Sequence, residues 1–532
     1  MKHLPKFLAS AALAAALSTS SYSAVMAATP PDTLVQAWQI DDIISMDPGE
    51  LFEFSASELT GNTYERLISY DPKDVSKING EVAESWTVSP DGKTFTFKIR
   101  DGKKFASGNP ITAEDVAYSF QRAVSMDKSP AFIIGQFGLT KDNVKDKVKA
   151  TGPLEVTMEL DKPYAPTFVL YCLTAPVASI VDKKLVQQNE KDGDWGNGWL
   201  KTRYAGSGPF IMRDWKANEV VVLERNPNYA NKTPLARVIF RHIKETATQR
   251  LLLEKGDVDI ARNLNPEEIN AVSKNPDIKV ESGVKGTVYY LGLNQKNPTL
   301  AKPEVRQALK YLVDYDAIAD TIMKNKGKNH QAFLPEGFLG AQAENPYKLN
   351  VAKAKELLAK AGLKDGFTVT MDTRSTPDVT GMAQAIQQTF AQAGVKVEII
   401  PGDGKQTLTK YRARQHDIYI GNWGSDYQDP NSNADTFAAN DDNSDEAKAK
   451  PLAWRNAWDP GPLTQKTRAA VLESDGSKRA KTYGELQTSV VDNSPFVVFL
   501  QQIEVFASRK NVNGVVIGPS FDTNSVAQAK KN

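Results

Sequence analysis

Phe367-Thr-Val-Thr-Met371, a helical pattern over Val379–Ala393, Val395-Lys-Val-Glu-Ile-Ile400 and Asp417-Ile-Tyr-Ile-Gly421 follow one another in the C-terminal half of the chain. Short apolar runs alternating with a helix-length segment predict a parallel or mixed sheet with helical cover, an α/β protein. The same periodicity predicts helices over Pro303–Lys324, Val351–Ala361 and Arg479–Val490. Pro495-Phe-Val-Val-Phe-Leu500 reads as a further buried strand. At 532 residues the chain exceeds one compact core, so two or three lobes are expected.

Upstream the pattern is different. Thr33-Leu-Val-Gln-Ala-Trp-Gln-Ile40 predicts a strand and Ser57–Ser69 a helix. Thr87–Arg100 predicts a hairpin about Pro90-Asp91-Gly92, with Phe95, Phe97 and Ile99 alternating with polar residues. Thr112-Ala-Glu-Asp115 predicts a capped helix start. Leu154–Leu160 alternates strictly, which predicts a half-buried strand. Asp441–Pro451 reads as a surface loop, and the polar tail Gln528–Asn532 as frayed.

Composition narrows the function. Lys+Arg is 65 and Asp+Glu 64, a net charge of +1, which supplies no global field for a polyanion. Nucleic acid is therefore not an expected partner. The single cysteine, Cys172, and four scattered histidines give no metal-ligand spacing, and no metal or cofactor is expected. Neither a Gly-x-Ser-x-Gly elbow nor a glycine-rich phosphate loop is present. The start carries Lys2 and Lys6, an apolar Phe7–Leu17, then small residues ending Ala24-Val-Met-Ala-Ala28. That is the order of a secretory signal cut after Ala27, and the run is short of the roughly 20 residues a membrane span needs. An exported, soluble product is expected.

Two local groups stand out. Gly421-Asn-Trp-Gly-Ser-Asp-Tyr-Gln-Asp-Pro430 leaves the end of an apolar strand, where open α/β sheets place ligands. A carboxylate there, Asp426 or Asp429, could hold an ammonium group, with Trp423 and Tyr427 walling the pocket. The same residues could equally form a capped turn, with Asp426 and Asp429 on nearby amides. Gly206-Ser-Gly-Pro209 is either a tight turn or a backbone that approaches a ligand closely.

The order of motifs resembles a family. Val82-Ala-Glu-Ser-Trp86, Asp91-Gly92, Phe95-Thr-Phe97, Arg100, Lys104-Phe105, Gly108, Thr112-Ala-Glu-Asp-Val116 and Tyr118-Ser-Phe120 match its most specific segment. Tyr64-Glu-Arg-Leu67, Gly206-Ser-Gly-Pro-Phe210, Arg225-Asn-Pro-Asn-Tyr229, Gly256-Asp-Val-Asp259 and Val305-Arg-Gln-Ala-Leu309 with Asp314 add ordered matches. The chain resembles the extracytoplasmic solute-binding proteins of bacterial ABC importers, family 5, the branch of oligopeptide-, dipeptide- and nickel-binding proteins.

The resemblance implies a periplasmic-binding-protein fold of two hinged lobes plus an inserted lobe. Lobe I would be 29–58, 205–291 and 503–532; lobe II, the insertion, 59–204; lobe III 292–502. Chain crossings near Gly292 and Gln501 would form the hinge. Trp86, Phe95 and Phe97 would be lobe II core. A monomer in the periplasm would close over a small peptide between lobes I and III and dock on a membrane permease, without catalysis. By the same resemblance Asp426 would hold the ligand ammonium within Trp423–Tyr427, while Glu53, Phe54, Ser55, Gly206 and Ser207 would line the cleft. One departure is visible. Dipeptide binders carry an arginine early in the helix corresponding to Val379–Ala393, where this chain has Ser375-Thr-Pro-Asp-Val-Thr380. Arg374 is the nearest substitute. The departure leaves open longer or modified peptides, an opine or amino-acid conjugate, a sugar or a nickel chelate. A secreted hydrolase is the remaining alternative.

Overall fold

The computed structural model describes residues 29–532; the expected signal segment, 1–27, lies outside the described residues. Ten strands run in one path: Val395–Gly402, Phe367–Arg374, Ile418–Gly424, Ile278–Leu293, Phe496–Arg509, Ile260–Ala261, Thr33–Trp38, Arg237–His242, Val220–Arg225 and Phe210–Lys216. Gly327–Asn329 adds to the edge of Phe496–Arg509. Phe367–Arg374 is parallel to both Val395–Gly402 and Ile418–Gly424, whereas its neighbours further along are antiparallel. The sheet is thus mixed, as the alternating strands and helices predicted. Along Val395–Gly402 the register buries Val395 and Val397 and exposes Lys396 and Glu398, and a one-residue slip would invert that.

Two long antiparallel strands, Ile278–Leu293 and Phe496–Arg509, run through the whole sheet. Ile278–Val284 pairs with Ile503–Arg509 and belongs to the half built on Thr33–Trp38. Val288–Gly292 pairs with Phe496–Gln501 and belongs to the half built on Ile418–Gly424. The register breaks between Val284 and Val288. Gly292 is no crossing point: it pairs with both Tyr419 and Phe496, because the strand has already entered the second half. At the break, Gly286 N–H donates to Pro519 O at 2.7 Å and Gly286 O accepts from Ser425 N–H at 3.0 Å.

A four-stranded antiparallel unit forms a separate core from Ala83–Val88, Thr94–Ile99, Glu155–Glu159 and Val148–Gly152. The expected hairpin turns at Gly92, whose φ of 73° suits glycine, and Phe95 and Phe97 are fully buried. Trp86 packs half-buried against the same core. Helix Ala113–Met126 covers it and opens with the expected capping box, Asp115 Oδ2 accepting from Thr112 N–H at 2.9 Å.

Three expectations change. The helix predicted over Pro303–Lys324 stops at Tyr311, and Asp314 caps a new turn by accepting from Ala317 N–H. The helix predicted over Ser57–Ser69 runs Phe54–Thr63, because Leu67 and Ile68 are drawn into the four-stranded unit's core. The tail is anchored: Lys530–Lys531 pairs with Val512–Asn513, and buried Lys531 meets Asp259 at 3.0 Å. Among the described residues no helix is long and apolar enough to cross a membrane.

Candidate functional site: a closed hollow where the strands cross

The strand Ile418–Gly424 ends against the register break, and the chain then turns through Ser425, Asp426 and Tyr427 into helix Asn431–Phe437. Ser425 fixes the turn: its N–H and Oγ both donate to Gly286 O, and its Oγ lies 2.7 Å from Asn433 Oδ1. Asp429 and Asp426 take different roles here. Asp429 is buried and held by Arg479 through two contacts of 2.6 and 2.7 Å, and it also accepts from Asn431 N–H. Asp426 donates its backbone N–H to Ser432 Oγ at 2.8 Å. Its carboxylate has no ion-pair partner among the described residues. Burial, reinforced by the charge of Asp435, pushes its carboxyl up to about 7, with Arg455 opposing. A desolvated, unpaired carboxylate is poised to gain from an incoming cation.

Asp426 faces a small hollow of about 80 Å³, room for an end group rather than for a whole ligand. Its walls are mainly apolar, with Leu51, Phe52, Phe54, Ile133, Pro176 and Val177 among them. They come from the first half of the sheet and from the four-stranded unit; Gly424–Tyr427 close the second-half side. A wider trough of about 720 Å³ opens between the two halves.

Of the expected site residues, Asp426, Gly424, Ser425, Tyr427 and Phe54 line the hollow. Tyr427 is buried, edge-on to Phe168 at 6.1 Å. Ser55 lines the trough, and its N–H donates to Asp42 Oδ2 at 3.2 Å. The remaining expected residues lie elsewhere. Trp423 points to the opposite sheet face, as strand alternation requires, and packs beside Tyr290 and Tyr419. Glu53 precedes helix Phe54–Thr63 and accepts from Phe52 N–H; burial pushes its carboxyl up, yet it borders neither cavity. Gly206 and Ser207 also border neither cavity. A Cβ on Gly206 would stand 2.8 Å from Thr63 O, so glycine there serves close packing of chain on chain. Arg374 borders neither cavity; a Cβ on Gly404 would stand 3.8 Å from its guanidinium carbon. Sequence reasoning missed Phe521, Thr287 and the Pro176–Val177 wall. Only tertiary contact brings them to Asp426, and no local motif marks them.

Among the described residues no group of three His, Cys, Asp or Glu could hold a metal ion. A mixed sheet threaded by two continuous strands, with a small hollow at their break and a wider trough between the halves, defines a periplasmic-binding-protein fold. The family model "Bacterial extracellular solute-binding proteins, family 5 Middle" matches residues 77–445, and the chain belongs to that family. Its members are binding components. The probable D,D-dipeptide-binding periplasmic protein DdpA of Escherichia coli is 29% identical over 515 residues, 96% of each chain. The dipeptide-binding protein of the same organism is 26% identical over 477 residues, 86% of each. Among solved structures, the periplasmic binding protein DppA from Helicobacter pylori in complex with the peptide STSA superposes with a TM-score of 0.80. It is 25% identical, and the match covers 94% of this chain and 98% of that one.

Proposed function

We propose that this protein captures peptides with a free amino terminus and hands them to the permease of an ABC importer. One observation carries the reading: the Asp426 carboxylate faces a mainly apolar hollow and has no ion-pair partner among the described residues. An α-ammonium group supplies that cation, and the apolar walls take the first side chain. The peptide-binding relatives, aligned over nearly the whole chain, support the same cargo class.

Capture then works by closure. The two sheet halves move about the register break at 285–287, and the ligand shifts the equilibrium by binding the closed form more tightly. The lobes follow 29–58, 205–286 and 503–532; 59–204; and 287–502, the first crossing lying at the break rather than at Gly292. The mature protein is a periplasmic monomer, freed of its leader after Ala27. Mass spectrometry of ligand released from denatured protein tests the cargo class. Calorimetry with Asp426→Ala tests the anchor: loss of roughly 2–5 kcal/mol for free-amino peptides is expected, the cost of truncating one partner of a buried charge pair. Unchanged affinity removes the assignment.

A further inference from the structure

The hollow around Asp426 and the open trough share two lining side chains, Phe54 and Phe521. Their rings stack, with centroids 4.4 Å apart and planes 20° from parallel. Phe54 reaches across from helix Phe54–Thr63 to Gly424 on the opposite half. The pair is therefore the boundary between two compartments.

Those compartments differ in size and in the charged groups that line them. The hollow is lined by two carboxylates, Asp426 and Asp522, and by no lysine, arginine or histidine. Asp522 is held by Arg66 at 2.6 Å, which leaves Asp426 to meet a ligand. The trough is larger and mixes Lys244, Arg262 and Lys326 with Asp42, Glu245, Asp378 and Glu504; Arg262 is taken up by Glu58 and Glu504 and Lys326 by Asp378, while Lys244 has no ion-pair partner among the described residues. A ligand carboxylate kept inside the hollow would share apolar surroundings with Asp426 and find no cation there, an arrangement that low-dielectric burial penalises heavily. Beyond the rings the larger trough has room for the same carboxylate together with its hydrating water, and it carries Lys244 in its lining.

We propose that Phe54 and Phe521 are specificity-determining residues: they make the hollow a compartment for the ammonium-bearing end of the cargo alone. A free carboxylate is excluded unless the peptide is long enough to carry it past the rings. The selected class is a cation-headed, apolar-bodied peptide whose carboxyl end is distant or neutralised. The proposal rests on the ammonium-capture reading of Asp426.

Calorimetric titration of the mature protein at pH 7.5 tests it, with Ala-Leu, Ala-Leu amide and Ala-Leu-Ala-Leu. The amide and the tetrapeptide are expected to bind at least tenfold tighter than the dipeptide acid. In Phe521→Ala, which joins hollow to trough, the gap between dipeptide acid and amide is expected to fall below threefold. Phe54→Leu should narrow it in the same direction and guards against misfolding of the first variant. A dipeptide acid that binds as tightly as its amide overturns the proposal, as does a gap unchanged in both variants. Failure of all three peptides to bind the unmodified protein would instead overturn the ammonium-capture reading, and this inference with it.

Discussion

The ring of Phe54 occupies the space that a side chain on Gly424 would need: a Cβ built there falls 2.9 Å from Phe54 Cε1 and 3.0 Å from Cζ. The contact joins a helix of the first sheet half to the last residue of a strand in the second. It forms only when the halves are together, so glycine at 424 is tied to the closed arrangement.

Gly424→Ala is expected to push the ring aside and weaken ligand binding by about 1–3 kcal/mol, the usual penalty of overpacking. Combining it with Phe54→Leu should recover part of that loss. A double-mutant cycle by calorimetry reads the coupling, and strictly additive effects would dissociate the two residues.

Ligand affinity should depend on pH through Asp426. Its carboxyl titrates near 7 in the free protein, so below that pH a proton must leave before an ammonium can pair. Affinity for a free-amino peptide is expected to fall about tenfold per pH unit from 7 toward 5, the slope for one linked proton. Asp426→Asn should abolish the slope. Titrations at pH 5, 6 and 7 check this.

The same group costs the empty protein stability. A carboxyl raised from an unfolded value of about 3.9 binds more protons folded than unfolded, so its destabilising effect grows between pH 4 and 7 and is complete above. Asp426→Asn is therefore expected to raise Tm at pH 8 without ligand, and the gain should vanish near pH 4. Thermal scans at both pH values decide it.

Beneath the crossing lies a buried charge cluster. Arg262 holds Glu58 at 2.7 Å and also contacts Glu504, while Lys285 contacts Glu504 at 2.8 Å. Burial pushes the Glu504 carboxyl up, but Lys285 and Arg262 outweigh it and hold it below the usual range. Glu504→Gln leaves Lys285 without its carboxylate and should cost about 3–5 kcal/mol in urea unfolding. A cost under 1 kcal/mol would show that Lys285 finds sufficient partners in Gly518 O and Asn524 Oδ1, which lie at 2.6 and 2.7 Å.

Cys172 is buried, and burial first, then the charge of Asp429, pushes its thiol up. Thiol reagents at pH 8 should leave the folded protein unmodified and react only as fast as it opens. Rapid labelling under native conditions would contradict that burial.

The local elements were legible from the sequence because they depend on near neighbours. Alternation gave the hairpin around Gly92, the capping pattern gave the helix start at Thr112, and apolar runs gave the strands at Phe367–Met371 and Val395–Ile400, which the structure extends to Arg374 and Gly402. Periodicity misread Leu67 and Ile68 as a helix face, since their burial is decided by the separate four-stranded core. The tail looked frayed because Lys531 finds Asp259 only across the fold.

The site divides the same way. Strand, turn and acids in one short segment singled out Gly421–Pro430, and the ordered motifs singled out the family and, through it, Asp426; both depend on adjacency along the chain. That Asp429 is spent on Arg479 while Asp426 stays free, that Trp423 turns away, and that Phe521 meets Phe54 were decided by tertiary structure alone. Burial and pairing are set by which distant segments pack together, and a one-dimensional pattern carries no record of those distances.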